Sequence, residues 1–351
     1  MASNMDERKK SILKVVTDDY ITSAEPVGSR TIARRYSLGL SPATIRNEMA
    51  DLEESGYLEQ PHASAGRVPS EKGYRYYVDV LMSLQKLSLK DVEHIYTELD
   101  KHHREIETII HKTSRILVQM TKYPALVLSP QYQTANFRHI QLVKLSESTI
   151  LVLVVTDTGY VENKMIELEN EVSTEDLDRL SVLLNEKLRG VSLKDLRSAL
   201  LNEIRSEVIF HDHFFNETIK LLIKAIENKG NERVFIDGAA KILEQPEFAD
   251  LQKFKPIMGL LEEEERLYKI LTATNRGANV KIGSENQELG VQDCSVVTAS
   301  YEINGRAVGV IGVLGPTRME YGKILPIVEN TADILSELLT EICKRGPANF
   351  K

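Results

Sequence analysis

The sequence contains no tryptophan, and only 6% of its 351 residues are aromatic. It has two cysteines, Cys294 and Cys343, far apart and in no metal or redox spacing. That excludes a disulfide framework or a zinc ribbon, and two small buried thiols in a reducing compartment are expected. Long apolar runs are missing too. The longest aliphatic stretch, Ile150–Val155, falls far short of the roughly 20 residues that a membrane span requires, and the opening MASNMDERKK leads into no apolar signal segment. The expectation is a cytoplasmic protein with no membrane partner.

An excess of positive charge is also absent, since the net charge is −8. Distribution matters more than the total. Residues 1–90 carry 13 Lys+Arg against 12 Asp+Glu, whereas the rest of the chain carries 31 against 40. The acid therefore belongs to the body, and the first segment can present a locally basic face. With 42% apolar and 27% charged residues, the chain is ordinary for a soluble globular protein and long enough for two or three domains.

What is present centres on SPATIRNEMADLEESG, residues 41–56. Ser41 can cap a helix, Pro42 suits its first position, and Gly56 can close it. Ile45, Met49 and Leu52 recur at spacings of four and three, which predicts an inward stripe and leaves Ala43, Thr44, Arg46, Asn47 and Ala50 facing elsewhere. That outer face is small, polar and basic toward its start, which suits a helix pointing its beginning at phosphates and base edges. Asp51, Glu53 and Glu54 stand in the last turns, where the helix dipole disfavours acids.

Two helices precede it: residues 6–21, with Ile12, Val16 and Tyr20 on one side, and RTIARRY after Pro26 and Gly28, with Ser29 as its cap. Arg30, Arg34 and Arg35 on the second are either a solvated face or phosphate contacts. Helix, helix, short turn, helix is the helix-turn-helix order. After it, Tyr57-Leu58 and Val68-Pro69 can pair across QPHASAGR as a hairpin with a basic tip, the wing of a winged helix, where Gly66-Arg67 can approach a phosphate or the minor groove. Ser70 then caps EKGYRYYVDVLM, from which Arg75 and Tyr76 contact DNA or brace the wing.

The run SPATIRNEMADLEESGYLEQPHASAGRVPSEKGYRYYVD resembles the signature of the HrcA family of heat-inducible transcription repressors, and GVIGVLGPTRMEYGK at 309–323 resembles that family's C-terminal signature. The resemblance covers essentially the whole chain. It implies DNA contacts in the wing motif at His62, Ser64 and Arg67. It also implies a domain similar to the GAF fold, interrupted by an inserted dimerisation domain, and a homodimer on an inverted-repeat operator, CIRCE, upstream of chaperone operons. Repression would be kept active by the chaperonin. With the residue reading, the DNA-binding set is Arg30, Arg34, Arg35, Ser41, Thr44, Arg46, Asn47, His62, Ser64, Arg67 and Arg75.

From Ser88 a helical stripe runs through Val92, Tyr96, Leu99, His103, Ile106, Ile110, Thr113, Leu117 and Met120. It predicts one helix of about 33 residues, roughly 50 Å long, which either pairs with a twin or packs along its own domain. Strands are expected at 137–145, 150–156 and 160–168, and again at 280–282, 296–302 and 307–314, with Asn304-Gly305 as a hairpin turn. Thr174 to Leu188, Ser192 to Asn202 and Ile204 to Glu227 read as helices between the two strand groups, and a terminal helix is expected over Met319–Lys344. The simplest account is one sheet with its halves separated by a helical insertion. The chain is thus read as α+β: a winged helix-turn-helix at 1–85, a connecting helix at 86–122, a GAF-like antiparallel-sheet domain at 123–171 and 259–351, and a mainly helical insertion at 172–258.

No catalytic constellation emerges. Asp157-Thr158-Gly159 matches an aspartic-protease triplet, but that chemistry needs two carboxylates, and a hairpin turn is the better reading. His102, His103, His111, His211 and His213 have no Cys or carboxylate grouping to complete a metal site. Gly305, Gly309 and Gly312 precede no Lys-Ser/Thr and suit close sheet packing, and Glu262–Glu265 suits a solvated helix face. No enzyme activity, cofactor or metal is expected. The alternative to a chaperone-operon repressor is a metabolite-responsive regulator sensing a small molecule through the GAF-like domain.

Overall fold

The computed structural model describes residues 5–100, 106–130, 135–158, 161–168, 173–193, 233–273, 277–288 and 290–345, with Glu171 and Asp195. The helix expected over 204–227 and most of the one expected over 192–202 lie outside these residues, as do His102, His103, His211 and His213; Ser192, the expected helix start, instead bridges Asn136.

Helix α1 (Glu7–Ser23) starts where Asp6 accepts the Lys9 N–H at 2.8 Å. Helix α2 (Ser29–Arg35) begins one residue earlier than expected: Gly28 precedes it, no side chain caps it, and Ser29 is already helical. Helix α3 (Pro42–Glu54) is capped as its sequence requires, with the Ser41 hydroxyl accepting the Thr44 N–H at 3.1 Å and Pro42 in the first turn. The three pack on Ile12, Leu13, Val16, Ile32, Ile45, Met49 and Leu52. Each such burial is worth about 1.5–3 kcal/mol, enough to hold a unit this small. Strands β1 (Leu58–Glu59) and β2 (Val68–Pro69) form an antiparallel hairpin, Leu58 opposite Pro69. Helix α4 (Glu71–Tyr76) follows at once. It does not continue regularly through Met82 as expected but widens over Tyr77–Leu81, so that the Met82 N–H reaches the Tyr77 carbonyl five residues back.

The expected single 33-residue helix is instead two, α5 (Leu89–Asp100) and α6 (Ile106–Thr121), which touch each other and both lie on the C-terminal helix. Two halves of one straight helix cannot touch. The stripe is apolar because Ile95, Leu99, Ile109, Ile110 and Leu117 enter the main core, not because the helix needs a twin.

That core is built on a five-stranded antiparallel sheet, ordered β7 (Val234–Asp237), β3 (Ala125–Leu128), β10 (Arg306–Pro316), β9 (Cys294–Ile303), β8 (Ala278–Ile282). One face carries Ala125, Val127, Val297, Ala299 and Ile311 against α5, α6 and the C-terminal helix α10 (Tyr321–Arg345). The other carries Leu126, Leu128, Val296 and Leu314 against α8 (Leu251–Glu262) and α9 (Glu264–Thr272). Alternate residues of β3 thus enter opposite cores, so its whole run is buried. Asn304 and Gly305 both take positive φ, 52° and 76°, and turn β9 into β10 as expected. Gly309 leaves room for the buried Tyr301 ring, since a Cβ there would lie 2.3 Å from the phenol oxygen. Tyr301 donates to the Leu128 carbonyl at 2.7 Å.

The expectation of one sheet with two halves is corrected here. Strands β4 (Phe137–Lys144), β5 (Thr149–Thr156) and β6 (Val161–Glu167) form their own three-stranded sheet, backed by α7 (Thr174–Leu188), whose cap is Ser173 rather than Thr174. The main sheet takes instead β3 and β7, paired Leu128 opposite Val234, with the Ser129 N–H on the Arg233 carbonyl at 3.0 Å. The chain therefore departs from the main sheet after β3 and returns beside it at β7.

Candidate nucleic-acid interface

The buried stripe of α3 is Ile45, Met49 and Leu52, and Ala43, Arg46, Asn47 and Ala50 are exposed on its other side. Thr44 is half-buried, its hydroxyl 2.9 Å from that of Ser41, so these two residues form the cap and face the start of the helix together. Among the described residues no acid engages Arg46, Arg30 or Arg34, all three exposed.

Three acids of α3, Glu48, Asp51 and Glu53, have partners from elsewhere in the fold. Glu48 faces Arg8 at 3.3 Å and Lys9 at 3.5 Å, and Asp51 reaches Lys9 at 3.0 Å. Asp51, with Glu48 and Asp6, raises the Lys9 ammonium above its ordinary pKa. Glu53 holds Arg67. Glu48, Asp51 and Glu53 thus point at α1 and the hairpin, Glu54 is exposed, and the half without acids is left outward. Surface ion pairs of this kind add little to stability; their effect is to segregate charge.

The hairpin is braced rather than loose. Val27 and Arg67 exchange both backbone hydrogen bonds at 2.9 Å, which adds a third short edge. Gln60 donates its side-chain amide to the Ala63 and Ala65 carbonyls, each at 3.0 Å, closing the loop that exposes His62 and Ser64. Gly66 and Gly73 sit where backbone approaches backbone: a Cβ would lie 2.4 Å from the Val27 carbonyl and 2.1 Å from the Tyr57 oxygen, respectively.

The structure places the expected residues in three groups. Arg30, Arg34, Ser41, Thr44, Arg46, Asn47, His62 and Ser64 have open sides. Arg35 and Arg67 are exposed or half-buried but paired, Arg35 to the buried Asp19 at 2.7 Å and Arg67 to Glu53. Arg75 turns away to the body, where it donates to Glu285 and to the Val280 carbonyl at 2.7 Å. Asp19 and Glu285 lie in no motif, and Glu71, inside the N-terminal signature, carries no mark of its role, because its partner Ser284 lies 213 positions along the chain. Arg318, inside the C-terminal signature, pairs with Glu247 and donates to the Ile21 carbonyl of α1 at 3.1 Å.

Asp157 accepts the Asn136 N–H and side-chain amide, each at 2.8 Å, and so braces a turn. Among the described residues, no cluster of three metal-ligating side chains occurs, and no helix is long and apolar enough to cross a membrane.

A compact three-helix unit with an adjoining hairpin, one helix face open at Arg46 and Asn47, joined to a larger mixed body, has a build that suits a transcription regulator. The HrcA protein C-terminal domain matches residues 107–325. The heat-inducible transcription repressor HrcA of Pelotomaculum thermopropionicum is 45% identical over 342 residues, covering 97% of this chain and 98% of the relative. That of Halalkalibacterium halodurans is 43% identical over 342 residues, covering 97% and 100%. A crystal structure described as that of a hypothetical protein at 2.2 Å resolution shares the fold with a TM-score of 0.61 at 20% identity, covering 97% of this chain and 100% of that one. The chain belongs to the HrcA family of heat-inducible transcription repressors.

Proposed function

We propose that this repressor binds an inverted-repeat operator of the CIRCE type as a homodimer, shuts off chaperone operons, and depends on the chaperonin for activity. Residues 5–85 act as a winged helix-turn-helix, with α3 in the major groove and the β1–β2 hairpin as wing. The five-stranded sheet with its helices is the GAF-like domain, and, because β4–β6 form their own sheet and β7 joins the main one, we move the inserted dimerisation domain from the expected 172–258 to the segment between β3 and β7, roughly 129–233. The observation that carries the reading is the open face of α3, where Arg46 and Asn47 stand exposed beside the Ser41–Thr44 cap. Arg and Asn at such positions pair bidentately with guanine and adenine. Arg30, Arg34, His62 and Ser64 serve the backbone, Arg35 and Arg67 join them on release from Asp19 and Glu53, and Arg75 serves the body instead.

The dimer reading is supported by the outer face of the three-stranded sheet. Exposed Val161 and Met165 on β6 sit opposite half-buried Val155 and Leu151 on β5, an apolar strip that a second copy would cover. Two-fold symmetry then matches two half-sites. Such a protein works in the cytoplasm. The metabolite-sensing reading has no comparable support, because side chains fill both faces of the main sheet.

The test is fluorescence anisotropy against a labelled inverted-repeat duplex and a scrambled one, over a salt series. A preference of about 4–10 kcal/mol for the inverted repeat is expected. Equal binding to both duplexes would remove the reading.

A further inference from the structure

Helix α4 joins the DNA-binding unit to the body through two side chains four residues apart. Glu71 accepts the Ser284 N–H at 2.9 Å and the Ser284 hydroxyl. Arg75 donates to both carboxylate oxygens of Glu285, at 2.7 Å from Nε, and to the Val280 carbonyl. The i, i+4 spacing puts both on one helix face, and their partners are consecutive residues of a tight turn after β8. The turn is shaped for this approach. Gly283 has φ +54°, and a Cβ there would lie 2.0 Å from a Glu71 oxygen. Glu285 is itself held, accepting the Ile282 N–H at 2.9 Å.

Through its N-terminal cap α4 is also tied to the reading helix. The Ser70 hydroxyl caps α4 by accepting the Gly73 N–H at 3.0 Å and donates to the Gly56 carbonyl, just past α3, at 2.6 Å. A continuous set of short contacts therefore runs from α3 through Gly56, Ser70 and α4 to β8. A second tie, Arg318 to the Ile21 carbonyl, and the edge-on contact of the Tyr74 and Tyr321 rings, 6.2 Å between centroids, complete a three-point seat. Three points fix an angle as well as a distance.

We propose that Glu71 and Arg75 are positioning residues which, clasped to Ser284 and Glu285, set the angle of α3 on the body and hence the half-site spacing that the dimer accepts. The inference rests on the dimeric operator reading. Two readers held rigidly at a matching separation bind with high effective concentration, and a loosened mount loses that advantage without altering what each reader recognises.

The experiment uses the full chain and inverted repeats whose central spacer is varied in single base-pair steps across one helical turn, with a single half-site duplex alongside. Wild type should show one sharp optimum. R75E and E285R should each lose about tenfold at that optimum and show a flattened profile, with half-site binding unchanged, and R75E/E285R should restore the peak. Amide exchange at Ser284 reports the clasp directly, and Glu71→Gln should accelerate it in protein whose melting shows it folded. An unchanged spacer profile in R75E, an equal loss on every duplex including the half-site, or no recovery in the double variant would overturn the clasp while leaving the operator reading intact. If wild type prefers no inverted repeat over scrambled DNA, the operator reading fails first and the clasp inference falls with it.

Discussion

Arg67 and Glu53 face each other where the hairpin returns past the end of α3, with Nε and Nη2 of the guanidinium 2.8 and 2.7 Å from one carboxylate oxygen. The pair fastens the wing to the reading helix. It also holds in reserve a cation that stands next to the proposed DNA backbone, and a phosphate offers the same guanidinium fork a competing acceptor.

Glu53→Gln should therefore raise affinity for operator and scrambled DNA by similar factors. If Arg67 moves to a phosphate, the slope of log affinity against log salt steepens by about 0.9. Anisotropy titrations at several salt concentrations read both. A gain confined to the operator would assign Arg67 to base reading instead.

Arg46→Ala should cost about 1–3 kcal/mol on the operator and little on scrambled DNA, because a base-edge contact carries sequence information. Arg30→Ala and Arg34→Ala should weaken both duplexes alike and flatten the salt slope, as phosphate contacts do. Equal behaviour of all three would show that α3 does not read bases.

Gly66→Ala and Gly73→Ala place a methyl against immovable backbone, at Val27 and Tyr57. Each should lower the urea midpoint by the equivalent of about 1–3 kcal/mol or more, since strand and helix must separate to admit it. Gly259→Ala, inside α8 where a Cβ meets nothing within 4 Å, is the control and should raise the midpoint slightly, because alanine favours a helix interior over glycine.

Burial, with Asp293 adding to it, pushes the Cys294 thiol up to about 12. Burial, with Asp157 adding and Arg138 opposing, pushes Cys343 up to about 11. An unfolded thiol ionises near 8.5, so the folded state binds protons that the unfolded chain releases, and stability is full below about pH 8.5 and falls as the pH rises toward those raised values. Alkylation of native protein at pH 8 should be slow and should become fast in urea. The urea midpoint should drop between pH 8 and pH 10, and less so in Cys343→Ala.

Some of this architecture is written in local sequence. Ser41 and Pro42 mark the start of α3 and the 4-3 spacing of Ile45, Met49 and Leu52 marks its buried side, because capping and helical periodicity depend only on neighbours along the chain. Asn304-Gly305 marks a hairpin for the same reason. The open face carrying Arg46 and Asn47 follows by elimination once the stripe is known. The two family signatures bracket the chain and carry its class.

Tertiary structure alone decided which strands share a sheet, whether the stripe after Ser88 is one helix or two, and which arginines have partners. A β-strand records which residues face inward but not the identity of its neighbour, so β4–β6 and β8–β10 read alike although they belong to different sheets. An amphipathic stripe records a buried face but not what buries it, and α10 supplies for α5 and α6 what a twin helix would have supplied. A guanidinium's role depends on the acid that folding brings beside it. Arg46 and Arg75 are the same residue type in neighbouring helices, yet the first is left open beside the Ser41–Thr44 cap, and the second is clasped by Glu285, 210 positions along the chain.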